Sequence, residues 1–343
     1  MTKANYYRLL ICFILLVPIY AQAQIMEKIT GVSVWCNGKK HKKSDFQFVR
    51  DVHAGWVSIQ PYAMQKTPSD PLIFNEDDNW QCIDFDVVKN EIRRSKEQGL
   101  KIFLKPHIHL DYETNEIWVG NLSFDSEWKW KTFEDCYFEY VVELARIAQS
   151  MNVELFSIGT EMGTFPVERA DFWNELIGKI ESIYHGNLTY SSNFDYYQNF
   201  PFWNKLDYIG IDAYFTVDTQ QTPSIDTCMA NWKPIKSQLE NFSVNHNKQI
   251  FFSEYGYRST DYCAKKPFSA LSSRVNLVAQ ANAYRALFYT FWDESWFLGG
   301  FSWLWHFDNS HPENYDNTYY SPQNKPAEHI IRKKYKSFSS LLN

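Results

Sequence analysis

From residue 29 onward, short runs of β-branched, aliphatic and aromatic residues alternate with longer stretches whose apolar positions recur every three or four residues. The short runs predict eight strands, over residues 31–35, 56–60, 102–107, 155–158, 188–191, 208–211, 250–253 and 301–305. The longer stretches predict helices over 44–53 (Ser44 as N-cap), 86–98 (stopped by Gly99), 132–150, 166–184, 227–242, 274–292 and 326–342. The fifth unit has only a short turn around 202–206 between its strands. Parallel strands need a crossover and helices supply it, so eight strand–helix alternations predict an α/β fold, a single (β/α)8 TIM barrel. Irregular stretches at 63–85, 111–131 and 257–273 follow the second, third and seventh strands, on the rim where barrels keep their chemistry. A doubly wound open sheet would call for a Gly-rich phosphate loop after the first strand. Trp35-Cys36-Asn37-Gly38-Lys39-Lys40 contains none.

The first residues follow a different pattern. Lys3 and Arg8 make a positive start, residues 9–19 are apolar, and Ala21-Gln22-Ala23 sets small residues at the positions a signal peptidase reads. Residues 1–23 are thus expected to be a signal peptide cleaved after Ala23, leaving 24–343 as one catalytic barrel domain, secreted or periplasmic. The alternative is an uncleaved anchor. The apolar run is shorter than the ~18–20 residues of a membrane span, and no later run reaches that length, so no stable membrane span is expected. The 343-residue chain has 34 Lys and Arg against 40 Asp and Glu, a net charge of −6, and losing Lys3 and Arg8 makes it more acidic. With no basic run to track a phosphate backbone, nucleic acid is excluded as a partner. Aromatics reach 18%, many beside polar residues, a supply of flat faces for sugars as well as core. Beyond Cys12 in the leader, Cys36, Cys82, Cys136, Cys228 and Cys263 contain no C-x-x-C, so neither a zinc ribbon nor a dithiol motif is supported. Their odd number leaves at least one free thiol. No linker suggests a second domain, and a monomer is expected.

Two strands run apolar into a glutamate: Leu155-Phe156-Ser157-Ile158-Gly159-Thr160-Glu161 and Ile250-Phe251-Phe252-Ser253-Glu254. Glutamate is disfavoured in strands, so an acid in this position needs a reason. As the fourth and seventh strands they would set Glu161 and Glu254 across the barrel mouth from each other, the carboxylate pair that glycosidic cleavage uses. Alternatively each caps the following helix or pairs with an arginine such as Arg258. The segments Ile158-Gly159-Thr160-Glu161-Met162, Ser253-Glu254-Tyr255-Gly256-Tyr257-Arg258-Ser259 and Leu104-Lys105-Pro106-His107 together resemble glycoside hydrolase family 113, a clan A family of β-mannan-active barrels. So do Leu188-Thr189-Tyr190 running to Asn193, Leu206-Asp207-Tyr208-Ile209-Gly210-Ile211-Asp212-Ala213-Tyr214, and Lys325-Pro326-Ala327-Glu328, in barrel order over about residues 29–340. The resemblance implies Glu161 as acid/base and Glu254 as nucleophile of a retaining enzyme, endo- or exo-acting, on β-mannan, glucomannan or related β-manno-oligosaccharides. It implies no cofactor and no metal. Phe194, where that family's pattern has Trp, and Tyr255, where it has a smaller aliphatic, bear on sugar preference.

The remaining rim candidates are polar or flat. Tyr214, closing the sixth strand, can hydrogen-bond the nucleophile or pack as a rim aromatic. Asn193, closing the fifth, can donate to a sugar hydroxyl or serve as a turn residue. Trp303 and Trp305 share a strand face by period two, with Trp305 the expected exposed floor of the subsite and Trp303 core. Trp35 and Trp118 are further platforms. His107-Ile108-His109 is the main rival signal, because alternate strand residues point one way and H-x-H can hold a metal, as in amidohydrolase-type barrels. Such barrels carry the pair on the first strand; here it follows the third, with only His306 and His311 placed to help. His107 therefore reads better as a donor to a sugar hydroxyl or to the acid/base. A non-catalytic glycan-binding barrel would need one glutamate lost, and both are present.

Overall fold

Ile29–Val34 forms β1, buried along its whole length. A parallel barrel strand, covered by helices outside and side chains inside, reads as this kind of near-continuous apolar run. The computed structural model describes residues 27–35, 37–75, 84–111, 118–307 and 317–339. The expected signal peptide, Cys36, Cys82 and His311 lie outside these, as does the end of the last expected helix. Further strands are β2 (Trp56–Ile59), β3 (Tyr62–Gln65), β4 (Lys101–Leu104), β5 (His107–Leu110), β6 (Leu155–Thr160) and β7 (Asn187–Asn193). They are followed by β8 (Ile209–Asp212), β9 (Ile250–Tyr255) and β10 (Phe297–Trp305). Eight close a parallel barrel in the order β1, β2, β4, β6, β7, β8, β9, β10 and back to β1. The (β/α)8 barrel read from the sequence is the fold observed.

Helices cover the outside: α1 (Gln47–Asp51), α2 (Phe85–Glu97), α3 (Glu127–Ser150), α4 (Phe165–Glu168), α5 (Ala170–Glu181), α6 (Ile225–His246), α7 (Leu277–Phe291) and α8 (Pro326–Ser339). Asp84 caps α2 by accepting from the Asp86 N–H at 2.6 Å, and Gly99, at φ 72°, ends it. The helix expected over 166–184 is broken at Arg169, whose guanidinium reaches back to Glu134 (2.6 Å) and Glu127 (3.0 Å) of α3. In the fifth unit the crossover is only the 3₁₀ turn Trp203–Lys205. The strand expected over 102–107 is also split. Pro106 has no N–H to give a ladder, so β4 stops at Leu104 and the chain restarts as β5, which pairs with β3 in a small parallel sheet above the rim.

Inside the barrel, Phe103, Phe251 and Phe301 pack with Ile29, Leu155 and Leu298, filling the N-terminal end. Phe301 fits because Gly31 faces it: a Cβ there would lie 2.3 Å from the ring. The last helix closes the structure on the first strand. Tyr335 of α8 donates to the Gly31 carbonyl at 2.6 Å and shares a hydrogen bond with the Tyr255 hydroxyl on β9. Among the described residues no helix is long and apolar enough to cross a membrane. Cys136, Cys228 and Cys263 are unbridged.

Candidate active site

The C-terminal ends of β4, β6, β8 and β9 each deliver a charged side chain to the barrel mouth. Lys105, directly after β4 and fully buried, donates to both carboxylate oxygens of Asp212, at 3.0 Å each, and to Oε1 of Glu254. Tyr214 donates to Glu254 Oε2 at 2.6 Å, and Ser253 to Asp212 Oδ1 at 2.7 Å. Both oxygens of Glu254 therefore accept a hydrogen bond, one charge-assisted, which stabilises the ionised carboxylate. Burial works against the Lys105 ammonium, but Asp212 and Glu254 outweigh it and the pKa is raised overall. Asp212 is itself raised, by burial and by the charge of Glu254, with Lys105 opposing.

Glu161 sits one residue past β6 with φ at 56°, a left-handed backbone costly to a residue with a Cβ. Its neighbours hold it there. The Glu161 N–H donates to Ser191 O at 2.8 Å, and Tyr190 donates to Met162 O at 2.7 Å. Two residues earlier Gly159 admits Tyr137, whose hydroxyl would lie 2.6 Å from a Cβ and donates to Ile158 O. Burial, then the charges of Asp212 and Glu254, raise the Glu161 pKa from 4.5 to about 8, against Lys105. The strand ends thus carry two carboxyl groups in unequal settings: Glu254 accepts a hydrogen bond on each oxygen, and Glu161 is inclined to keep its proton.

Glu161, Glu254, His107, Trp118, Asn193 and Tyr214 all line a single cavity of about 610 Å³. His107 stacks on Tyr62 at 5.0 Å, with Nε2 3.7 Å from Glu254 Oε1. Burial and the Lys105 charge drive its pKa well below 6.5, so the ring is neutral, and Nε2 has no hydrogen-bond partner among the described residues. Asn193 donates to Asp195 at 2.8 Å. No group of three or more His, Cys, Asp or Glu is gathered as a metal-ligand set among the described residues.

Two expected platforms lie elsewhere. Trp305 is buried at 1% exposure, stacks on Phe48 at 6.1 Å and donates its indole N–H to Ser302. Trp35 lies beside His306 and is not part of the cavity wall. Trp303, expected in the core, lines the cavity. The reason is register. β1 and β10 pair Val32 with Ser302 but Val34 with Trp305, so one extra residue on β10 breaks the alternation on which the assignment relied. Tyr62, Phe194, Asp195, Phe268 and Tyr320 complete the wall. Lys105 and Asp212 were missed although they carry the signal that picked out the glutamates, a charge ending an apolar strand. Arg258 lies over the Tyr320 ring at 4.8 Å rather than on either glutamate.

Residues 35–325 match the family model described as Glycoside Hydrolase Family 113. The chain belongs to glycoside hydrolase family 113. It is similar to the family 113 β-mannanase of Alicyclobacillus acidocaldarius, at 23% identity and TM-score 0.79 over 91% of this chain and 98% of that one. A solved family 113 β-1,4-mannanase in complex matches at 25% identity and TM-score 0.78, over 91% of this chain and all of that one. The Faecalibacterium prausnitzii β-glucuronidase, at 14% identity and TM-score 0.60, shares the barrel over 49% of its length. No curated protein matches. The family makes this barrel an enzyme, a glycoside hydrolase.

Proposed function

We propose that the protein is a secreted, retaining β-glycosidase acting on β-mannan, glucomannan or related β-manno-oligosaccharides by double displacement, with no cofactor. The observation that carries the reading is the unequal treatment of two carboxyl groups in one cavity: Glu254 between Lys105 and Tyr214, Glu161 with a raised pKa. Pairs of carboxyl groups pushed apart in this way divide into nucleophile and acid. Glu254 attacks the anomeric carbon, and the glycosidic bond breaks as Glu161 passes its proton to the leaving oxygen. In the resulting ester Glu254 has lost its charge, which was one of the groups raising Glu161. Glu161, left ionised by that transfer and no longer facing the Glu254 charge, takes a proton from the water that hydrolyses the ester.

Mannan as substrate is supported by the similar family 113 structures, which are β-mannanases. Trp303 offers a flat face beside the nucleophile and His107 an unpartnered nitrogen, both suited to a sugar ring and its hydroxyls. Export rests on Lys3, Arg8, the apolar run and Ala21–Ala23; mass spectrometry of the secreted protein should find Gln24 first.

Product stereochemistry tests the mechanism. With added azide and an activated β-mannoside, Glu254→Ala should release the α-configured azide and Glu161→Ala the β-configured one, distinguished by proton NMR. The same configuration from both variants would discard the assignment.

A further inference from the structure

The wall of the catalytic cavity falls into two halves. From Glu161, just past β6, to Glu254 on β9, one arc of the barrel passes through β4, β2, β1 and β10, and the other through β7 and β8. The longer arc supplies Tyr62, His107 and Trp303, where His107 lies 3.7 Å from the Glu254 carboxylate and 6.5 Å from the Trp303 ring. On the proposed mechanism the sugar under attack rests there. The shorter arc supplies Asn193, Phe194 and Asp195, and the loop after β9 adds Phe268. This half rises beside Glu161, whose N–H donates to Ser191 O at 2.8 Å, two residues before Asn193.

Neither Asp195 nor Phe268 takes part in the proton transfers or in holding Glu254. Asp195 sits in a tight turn, with Tyr196 and Tyr197 donating their N–H to Asn193 O at 3.0 and 3.2 Å, and its Oδ1 accepts from Asn193 Nδ2 at 2.8 Å. A carboxylate offers about four acceptor sites, so this one has capacity for a sugar hydroxyl. Phe268 is 53% exposed, yet it stacks on Phe194 at 5.8 Å with 22° between the rings. Its loop is pinned: the Val217 N–H donates to Ala264 O at 2.9 Å, Thr216 Oγ1 to Lys265 O at 2.6 Å, and the Tyr320 hydroxyl to Pro267 O. An apolar ring held half in water at the mouth of a sugar cavity is a preformed face for a ligand.

We infer that Asp195 and Phe268 form the subsite of the leaving-group sugar: the stacked Phe194 and Phe268 rings receive the C–H face of that hexose, and Asp195 accepts one of its hydroxyls. This rests on Glu161 being the acid/base and Glu254 the nucleophile. Cleavage at Glu161 leaves the departing sugar on the β7 side, and the same place receives an acceptor in the reverse sense. When a sugar enters instead of water, its hydroxyl oxygen attacks the anomeric carbon. The bond to Glu254 breaks, its electron pair returns to that carboxylate, and the hydroxyl proton passes to Glu161. The subsite thereby sets how strongly an oligosaccharide is preferred over a single mannoside, and how readily a sugar acceptor takes the glycosyl group from the enzyme.

The test isolates the leaving-group side. 2-Deoxy-2-fluoro-β-mannosyl fluoride, whose leaving group has no ring, should trap the enzyme as an ester on Glu254, detected by mass spectrometry. Absence of the ester overturns the double-displacement reading itself. Methyl β-mannoside is then added as acceptor, and recovery of activity is followed against its concentration. In the wild type recovery should saturate. Phe268→Ala should raise the half-saturating concentration by roughly 5–100-fold, the scale of one ring stacked on an aromatic. Asp195→Asn should raise it by about tenfold, the loss of a charge-assisted hydrogen bond. Either effect should exceed the change in trapping rate at least several-fold, and Phe268→Trp, which keeps a flat face, should hold recovery near wild type. Phe268 is exposed, so its variants carry the test if Asp195→Asn does not fold. With the ester formed, unaltered saturation in both Phe268→Ala and Asp195→Asn overturns the inference, as does a wild type that recovers no faster with acceptor than in buffer.

Discussion

Tyr214 and Glu254, from adjacent strands of the barrel, meet through a 2.6 Å hydrogen bond from phenol to carboxylate. Burial first, and then the charge of Glu254, raise the Tyr214 pKa well above 10, so the phenol keeps its proton and remains a donor. Tyr214→Phe removes the bond with little change of shape. It should lower kcat/KM by about 10–100-fold, the equivalent of a charged hydrogen bond of roughly 1.5–3 kcal/mol, while thermal unfolding stays near wild type. Unchanged kinetics would assign Tyr214 to packing alone.

Lys105 is the counter-ion of two buried carboxylates. Lys105→Met leaves both uncompensated and should cost about 3–5 kcal/mol in chemical denaturation, with activity lost. Adding Asp212→Asn should recover part of that stability without activity. A single variant as stable as wild type would show that the ion pairs are not what holds this end of the barrel together.

Glu161 acts as an acid only while protonated. Because its pKa is raised from 4.5 to about 8, kcat/KM should hold through neutral pH and fall as pH rises through that value. The same shift gives the fold a contribution to stability that is complete below the ordinary carboxyl range and is lost progressively as pH rises from 4.5 to about 8. Asp212→Asn removes one of the charges that raise Glu161, so the limb should move to lower pH in a pH–rate profile. Movement to higher pH would contradict the electrostatic account.

Trp303 and Trp305 should behave oppositely. Trp303→Ala should weaken substrate and transition-state binding together by on the order of 1–3 kcal/mol, the scale of planar rings stacking on aromatics. Trp305→Ala empties a buried site against Phe48 and should cost about 3–5 kcal/mol of stability, with KM unchanged in the folded fraction. Kinetics and denaturation on both variants read the contrast directly.

The barrel was legible because each strand is an apolar run closed by a polar residue, and the runs are spaced by helices. Glu161 and Glu254 stood out as charges that a strand would otherwise avoid. Lys105 and Asp212 carry the same signal, so the whole charged cluster is written in the ends of the strands. What the pattern could not carry was local departure from periodicity: the extra residue on β10 that exchanges Trp303 and Trp305, and the break at Pro106 that turns His107–Leu110 into a separate strand. Contacts between distant loops, such as Trp118 with Tyr196, leave no trace in a one-dimensional pattern at all.

The hydrogen bond from Tyr335 to the Gly31 carbonyl spans 304 positions. On a chain made from the N-terminus, the first strand must wait for nearly the whole length to be synthesised before this partner exists. Tyr255, next to Glu254, waits for the same hydroxyl. The barrel can therefore be sealed only late, and contacts of such long range make for slow folding. Until then β1 and β9 lack their final neighbour. A chain shortened before α8 should keep most of its strands yet leave that seam open, and limited proteolysis would find it there.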